Sequence, residues 1–220
     1  MHRIVENLLK INEKVKRKFE STSHLTNLPK IIAVSKTFKI DHIEPVINHG
    51  HLDYGENKVQ EAVDKWTEVK KNNKDLKLHL IGRLQTNKVK PAVQLFDYIH
   101  SLDNKKLANK ICKVQSELNK KIKLFIQVNI GDEEQKSGIS KKDLPDFYNF
   151  CLQLGLDIKG LMCIPPLNED PIKYFVEMNK LKKKMNLEEL SMGMSSDYIE
   201  AVENGSSFLR IGSGIFGQRS

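Results

Sequence analysis

The sequence predicts an α/β fold, a closed (β/α)8 barrel of TIM type with an extra helix at its N-terminal end. Three observations carry that expectation: eight short apolar runs follow one another, helical patterns separate most of them, and no internal linker breaks the alternation. Strands covered by helices are buried on both faces and read as near-continuous apolar stretches, and eight repeats favour a closed barrel over an open doubly wound sheet. The chain of 220 residues is short for such a barrel, so tight loops and one domain spanning residues 1–220 are expected.

The elements follow in order. Ile4, Leu8, Ile11 and Val15 fall on one side of a first helix, ahead of the first run, IIAVS at 31–35. The second run, HLDYG at 51–55, precedes ENKVQEAVDKWTEV, where Val59, Ala62, Val63 and Trp66 make one helical stripe. LHLIG at 78–82 and FDYIHS at 96–101 are the third and fourth runs. Asp103 then stands where an N-cap belongs, before a stripe of Leu107, Ile111, Val114 and Leu118. LFIQVN at 124–129 and IKGLMC at 158–163 come next, followed by a stripe of Tyr174, Met178, Leu181 and Met185. ELSMG at 189–193 and FLRIG at 208–212 complete the eight.

Composition narrows the function. The chain carries 36 basic and 28 acidic residues, a net charge of +8, yet only five of the basic residues are arginines. Lysines spread along helices, as in KKLANKICKVQSELNKKIK, read as solvated faces that attract small anions, and no nucleic-acid partner is expected. No apolar run reaches the length of a membrane span and the N-terminus lacks a signal-peptide core, so no membrane partner and a cytoplasmic location are expected. The three cysteines form no CxxC pair, which points to structural thiols. His42, His49 and His51 cluster without a carboxylate or cysteine at ligand spacing, so no metal site is expected. His79 opens a strand away from the mouth and reads as a packing residue.

GSGIFG at 212–217 is a literal G-x-G-x-x-G after a strand, but the helix, strand and acidic residue that a dinucleotide site requires do not follow. The glycines have another use. A barrel's phosphate site is built by the loops after strands seven and eight, which here read SMGMSS and RIGSG. Gly193, Gly212 and Gly214 allow main-chain N–H groups to approach an anion, Ser195 stands at an expected helix N-cap, and Ser213 adds a hydroxyl.

Lys36 ends the first strand and projects into the same mouth. An amine held there, partly desolvated, suits Schiff-base chemistry with a phosphorylated carbonyl compound. Pyridoxal 5′-phosphate as a cofactor and a sugar phosphate in an aldolase-like reaction both fit that pairing. Asn87 and Lys88 after the third strand read as structural, and Lys136 lies in a loop on the functional side.

Taken in order, AVSK (33–36), YGENKVQEA (54–62), HLIGRLQTNK (79–88), SLD (101–103), QKSGI (135–139), GLMCIPP (160–166), LSMGMSSD (190–197) and RIGSGIFG (210–217) resemble the pyridoxal phosphate homeostasis protein family, single-domain relatives of the alanine racemase N-terminal barrel. The resemblance runs across almost the whole chain. It implies that Lys36 carries pyridoxal 5′-phosphate as a Schiff base, that Ser195, Gly212 and Ser213 hold its phosphate, and that Arg210 points at its pyridine nitrogen. Asn57 and Met194 line the site on the same grounds. Phe38 and Lys39 stand where a lysine–proline pair is common, and Ser213–Gly214 where Thr-Ala is frequent.

An arginine at the ring nitrogen cannot accept a proton, so the ring would be a weak electron sink. The racemases supply their second base from an added β domain and a partner subunit, for which a chain ending at Ser220 is expected to leave no room. Storage or delivery of the cofactor is therefore favoured, with apo forms of pyridoxal phosphate-dependent enzymes as partners, a monomeric state and no catalytic residue of its own. A minimal amino-acid racemase is the alternative.

Overall fold

The structure, a computed structural model, describes residues 2–133 and 135–218. Among them, eight strands form a closed parallel barrel in chain order: β1 (Lys30–Val34), β2 (Asp53–Glu56), β3 (Lys77–Leu80), β4 (Tyr98–Leu102), β5 (Lys123–Gln127), β6 (Asp157–Met162), β7 (Glu189–Ser191) and β8 (Phe208–Ile211). Pairing of β1 with β8 closes the seam, with Ile32 opposite Arg210 and Ala33 opposite Ile211. Every predicted run overlaps one of these strands to within a residue at its ends or contains it, in the predicted order.

Helices α1 (Arg3–Glu20), α2 (Ile40–Asn48), α3 (Val59–Asn72), α4 (Val89–Leu95), α5 (Lys105–Leu118), α6 (Leu144–Gln153), α7 (Pro171–Lys184), α8 (Tyr198–Glu203) and α9 (Ser213–Phe216) accompany the barrel. The expected N-terminal helix is α1, whose Ile4, Leu8, Ile11 and Val15 are all buried. On α7 the buried face is rotated from the expected stripe: Phe175 and Met178 are buried, and Met185 lies beyond the last helical residue. The cap of α5 is Asn104, whose side chain accepts from the Leu107 N–H at 2.9 Å, one residue beyond the expected Asp103. Asn104 has extended backbone angles, as a cap requires.

Alternation along each strand separates two cores. Ile31, Ala33, Leu78 and Leu80 belong to the large apolar layer shared with the helices, whereas Ile32, Val34, Phe125, Met162 and Phe208 form a separate cluster inside the barrel. The interior is aromatic as well as aliphatic. His79 stacks on Tyr98 at 4.4 Å and His100 on Phe125 at 4.5 Å, with Phe208 edge-on to both His100 and Phe125. Phe208 of β8 meets these rings of β3, β4 and β5 across the barrel interior. Those plugs fill the centre and leave the C-terminal mouth as the open end.

Candidate functional site

Strand periodicity aims the lysine. Ile32 and Val34 face the barrel interior, so Lys36, two residues on, points into the mouth above them. It lies on the wall of a cavity of about 710 Å³, together with Asn57, Met194, Ser195, Arg210, Gly212 and Ser213. All seven residues expected at the site from the sequence therefore share one cavity, although they come from the ends of β1, β2, β7 and β8. Its volume is that of an ordinary small-molecule site.

The turn that carries Lys36 is held from outside the barrel wall. Ser35 and Glu56 are fully buried, and the Ser35 hydroxyl donates to Glu56 Oε1 at 2.7 Å. Lys65 Nζ on α3 donates to the Ser35 carbonyl at 2.9 Å, to Glu56 Oε1 at 2.9 Å and to Glu61 Oε1 at 3.0 Å. Trp66 Nε1 donates to Glu56 Oε1 at 2.9 Å. Glu61 also accepts the Thr37 N–H at 2.5 Å. Thr37 has φ of +71°, a costly conformation for a β-branched residue, held by these surrounding bonds. Burial raises the Glu56 carboxyl above its ordinary range, against Lys65, Trp66 and Ser35. Burial pushes Glu61 upward too, but the Thr37 N–H and Lys65 outweigh it and the net displacement is down.

The β7 and β8 loops meet on the adjoining stretch of wall, since β8 pairs with β1. The cap of α8 is Asp197, not Ser195, and its Oδ1 accepts the Met194 N–H at 2.5 Å. Ser195 Oγ instead accepts the Gly214 N–H at 3.2 Å, which ties the two loops together beside the cavity that Ser195 lines. α1 supports this corner from behind, with Asn7 Nδ2 donating to the Ile215 carbonyl at 3.0 Å. Gly193 has φ of +90°, and a Cβ there would fall 2.5 Å from the Cβ of buried Ala201. Gly193→Ala is expected to cost about 2–5 kcal/mol from the left-handed backbone and overpacking together, measured by urea unfolding. Gly82 is required for a similar reason, since its Cβ would sit 2.3 Å from the Asn57 carbonyl oxygen.

Arg210 is a buried cation on the inner face of β8, with its tip at the cavity wall. NH1 donates to Ser191 Oγ at 2.7 Å and NH2 to the Cys163 carbonyl at 2.8 Å. Burial lowers its pKa, but a guanidinium remains charged throughout the physiological range. The three cysteines are free thiols, and burial pushes Cys151 and Cys163 up to about 12, far from a reactive thiolate.

Phe38, where the lysine–proline pair was expected, stacks on His42 with ring centres 4.8 Å apart and leans on Phe216 at 5.4 Å. An aromatic wall thus replaces a charge beside the mouth. His42 packs in this group, His51 Nε2 lies 3.0 Å from the Asp53 carbonyl, and His49 caps the end of α2. Among the described residues, no group of three or more His, Cys, Asp or Glu side chains could hold a metal ion. Lys136 pairs with Glu133 at 2.5 Å, and its neighbour Ser137 lines the cavity in its place. Asn87 and Lys88 line an adjoining cavity of about 820 Å³ that shares Asn57 and Arg83 with the first.

Sequence reasoning missed Glu56, Glu61 and Lys65. Glu61 and Lys65 are spaced i,i+4 on α3 and look like a surface pair; the signal was a second acidic residue, Glu56, buried at the end of β2.

The sequence matches the family described as alanine racemase, N-terminal domain, over residues 12–220. It is 38% identical to the pyridoxal phosphate homeostasis protein of Aquifex aeolicus (strain VF5), covering 97% of each chain. PipY of Synechococcus elongatus PCC7942, solved with PLP bound, superposes with a TM-score of 0.79 at 34% identity, covering 93% of this chain and 100% of PipY. The alanine racemase of Clostridium difficile 630 shares the fold at a TM-score of 0.72 and 13% identity, with 57% of its length covered.

Proposed function

Because the chain belongs to the pyridoxal phosphate homeostasis protein family, we propose that it binds pyridoxal 5′-phosphate on Lys36 as a reversible Schiff base and serves to store or deliver it. The observation that supports this reading is the convergence of Lys36, Arg210 and the two loops at 193–195 and 212–214 on one cavity.

The donor set fits the group. Pyridoxal phosphate supplies an aldehyde that condenses reversibly with a primary amine, releasing water. Lys36 is the amine on the wall. Ser195, Gly212 and Ser213 offer hydroxyl and main-chain donors for a phosphate, with the loop corner fixed by the Gly214–Ser195 bond. Arg210 would face the ring nitrogen, to which it could donate without being able to take up a proton. Met194 and Asn57 complete the walls. Within the same reading the chain works as one barrel domain over residues 1–220, monomeric and in the cytoplasm, and hands its cofactor to apo forms of pyridoxal phosphate-dependent enzymes. The racemase reading rests on fold likeness alone, and no observation at the site favours it.

The test is the visible absorption of the purified protein incubated with pyridoxal phosphate, before and after borohydride, followed by peptide mass mapping. A yellow band abolished by borohydride, with a phosphopyridoxyl adduct on Lys36, is expected. A colourless, unmodified chain would overturn the reading. Delivery predicts faster transfer to an apo-enzyme than release into buffer, and equal rates would remove that part.

A further inference from the structure

A chain of hydrogen bonds crosses the barrel core beneath the cavity. Arg210 NH1 donates to Ser191 Oγ at 2.7 Å, Ser191 Oγ lies 2.9 Å from His100 Nδ1, His100 Nε2 lies 3.0 Å from His79 Nδ1, and His79 Nε2 lies 2.9 Å from Asp53 Oδ1. His79, His100 and Ser191 have no solvent exposure, and Arg210 is 5% exposed. Asp53 begins β2, at the end of the barrel away from the mouth, and keeps 16% of its side-chain exposure.

The two ends set the direction of every link. A guanidinium only donates and a carboxylate only accepts. Ser191 Oγ takes its proton from Arg210, so its own hydroxyl points to His100 Nδ1. A neutral His100 accepting at Nδ1 carries its proton on Nε2 and gives it to His79 Nδ1. His79 in turn carries a proton on Nε2, aimed at Asp53. The reverse order would set a bare ring nitrogen against the carboxylate and strand the serine proton in a dry core, where an unmet polar group is costly. Burial holds both imidazoles below their ordinary pKa, which keeps them neutral. Burial pushes Asp53 upward, but the bond from His79 and nearby Lys30 outweigh it and keep the carboxyl ionised.

We propose that Asp53, His79, His100 and Ser191 form a one-way relay that orients Arg210 and carries the influence of the Asp53 charge across the barrel to it. Asp53 is then a positioning residue for the group that Arg210 faces. The last clause rests on the cofactor reading above; the relay itself does not. Aligned links polarise one another in a low-dielectric interior, so a charge lost at one end is felt at the other. Asp197 is the carboxyl that acts on Arg210 directly, beside the Cys163 thiol, and it belongs to the mouth.

Two measurements decide the matter. In the cofactor-free protein at neutral pH, long-range proton–nitrogen NMR of the imidazoles should show His79 and His100 both protonated at Nε2 with Nδ1 as acceptor. Either ring protonated at Nδ1, alone or doubly, overturns the relay. In the protein titrated with pyridoxal phosphate, Asp53→Asn and Ser191→Ala should each shift the visible band and weaken binding by about two- to thirtyfold. The double variant should be no worse than Ser191→Ala alone, because the chain is already cut. Asp157→Asn, which removes a carboxylate at the start of β6 outside the relay, should leave band and affinity in place. A folded Asp53→Asn protein with unchanged band and affinity, or effects that simply add, overturns the link to the cofactor. A wild-type chain that takes up no pyridoxal phosphate overturns the cofactor reading and that link with it, while the tautomers still judge the relay.

Discussion

Lys65→Ala is expected to cost about 3–5 kcal/mol of stability, the penalty for leaving one partner of a buried ion pair behind. The Lys65 side chain is 8% exposed and Glu56 is fully buried, so the carboxylate that loses its ammonium cannot recover its solvation from water. Glu56 Oε2 already lacks a hydrogen-bond partner, and Oε1 would keep only Ser35 and Trp66. The double variant Glu56→Gln with Lys65→Met should regain more than half of the loss, because it removes the stranded charge and preserves volume. Urea unfolding of the wild type and the two variants decides between this account and simple loss of contacts, which would make the double variant the least stable. A local effect should accompany the global one. With Lys65 gone, the Ser35 carbonyl and Glu61 lose their common donor, and the strained Thr37 turn loses its outer support. Faster amide exchange at residues 35–37 would show it.

Lys36→Ala should abolish covalent attachment of pyridoxal phosphate altogether, with no yellow band and no borohydride adduct at any concentration. The phosphate loops lie on β7 and β8 and owe nothing to the lysine side chain, so weak reversible binding should survive, reduced at least about tenfold or 1.4 kcal/mol. Equilibrium dialysis measures the remainder. An adduct that moves to another lysine with undiminished affinity would refute the assignment of Lys36 as the anchor.

The barrel was legible because parallel strands bury both faces. IIAVS and LHLIG are readable as strands without knowing their partners, and Lys36 could be placed because every strand of such a barrel ends at the mouth, whereas Arg210 was placed by the family resemblance. Side-chain hydrogen bonds were not legible to the same degree. Ser195 looked like a helix cap, but its choice between the α8 amides and Gly214 depends on how β7 and β8 sit side by side, which no local pattern encodes. Asn104 displaced Asp103 because the chain turns one residue later. His79 read as packing, which is half of its role; its neighbours His100 and Asp53 come from the flanking strands β4 and β2, and only the pairing of those strands brings them to 3 Å. Phe38 read as a missing lysine, whereas its use is the stack on His42 and Phe216.

The seam between β1 and β8 has a consequence for how the protein acquires its site. Lys36 lies just beyond one of these strands and Gly212 to Gly214 just beyond the other, so the amine and the phosphate loops come from nearly opposite ends of the chain. Contacts between segments so distant in sequence carry a large loop-closure cost and are slow to form. A chain that has paired every other neighbouring strand but has not zipped this last pair has not yet brought the amine and the phosphate loops together. Ligand that binds only the zipped form pulls the equilibrium toward it by mass action. The bound molecule is then a latch on the barrel as well as its cargo, and each release unfastens the edge at which an emptied protein would begin to open.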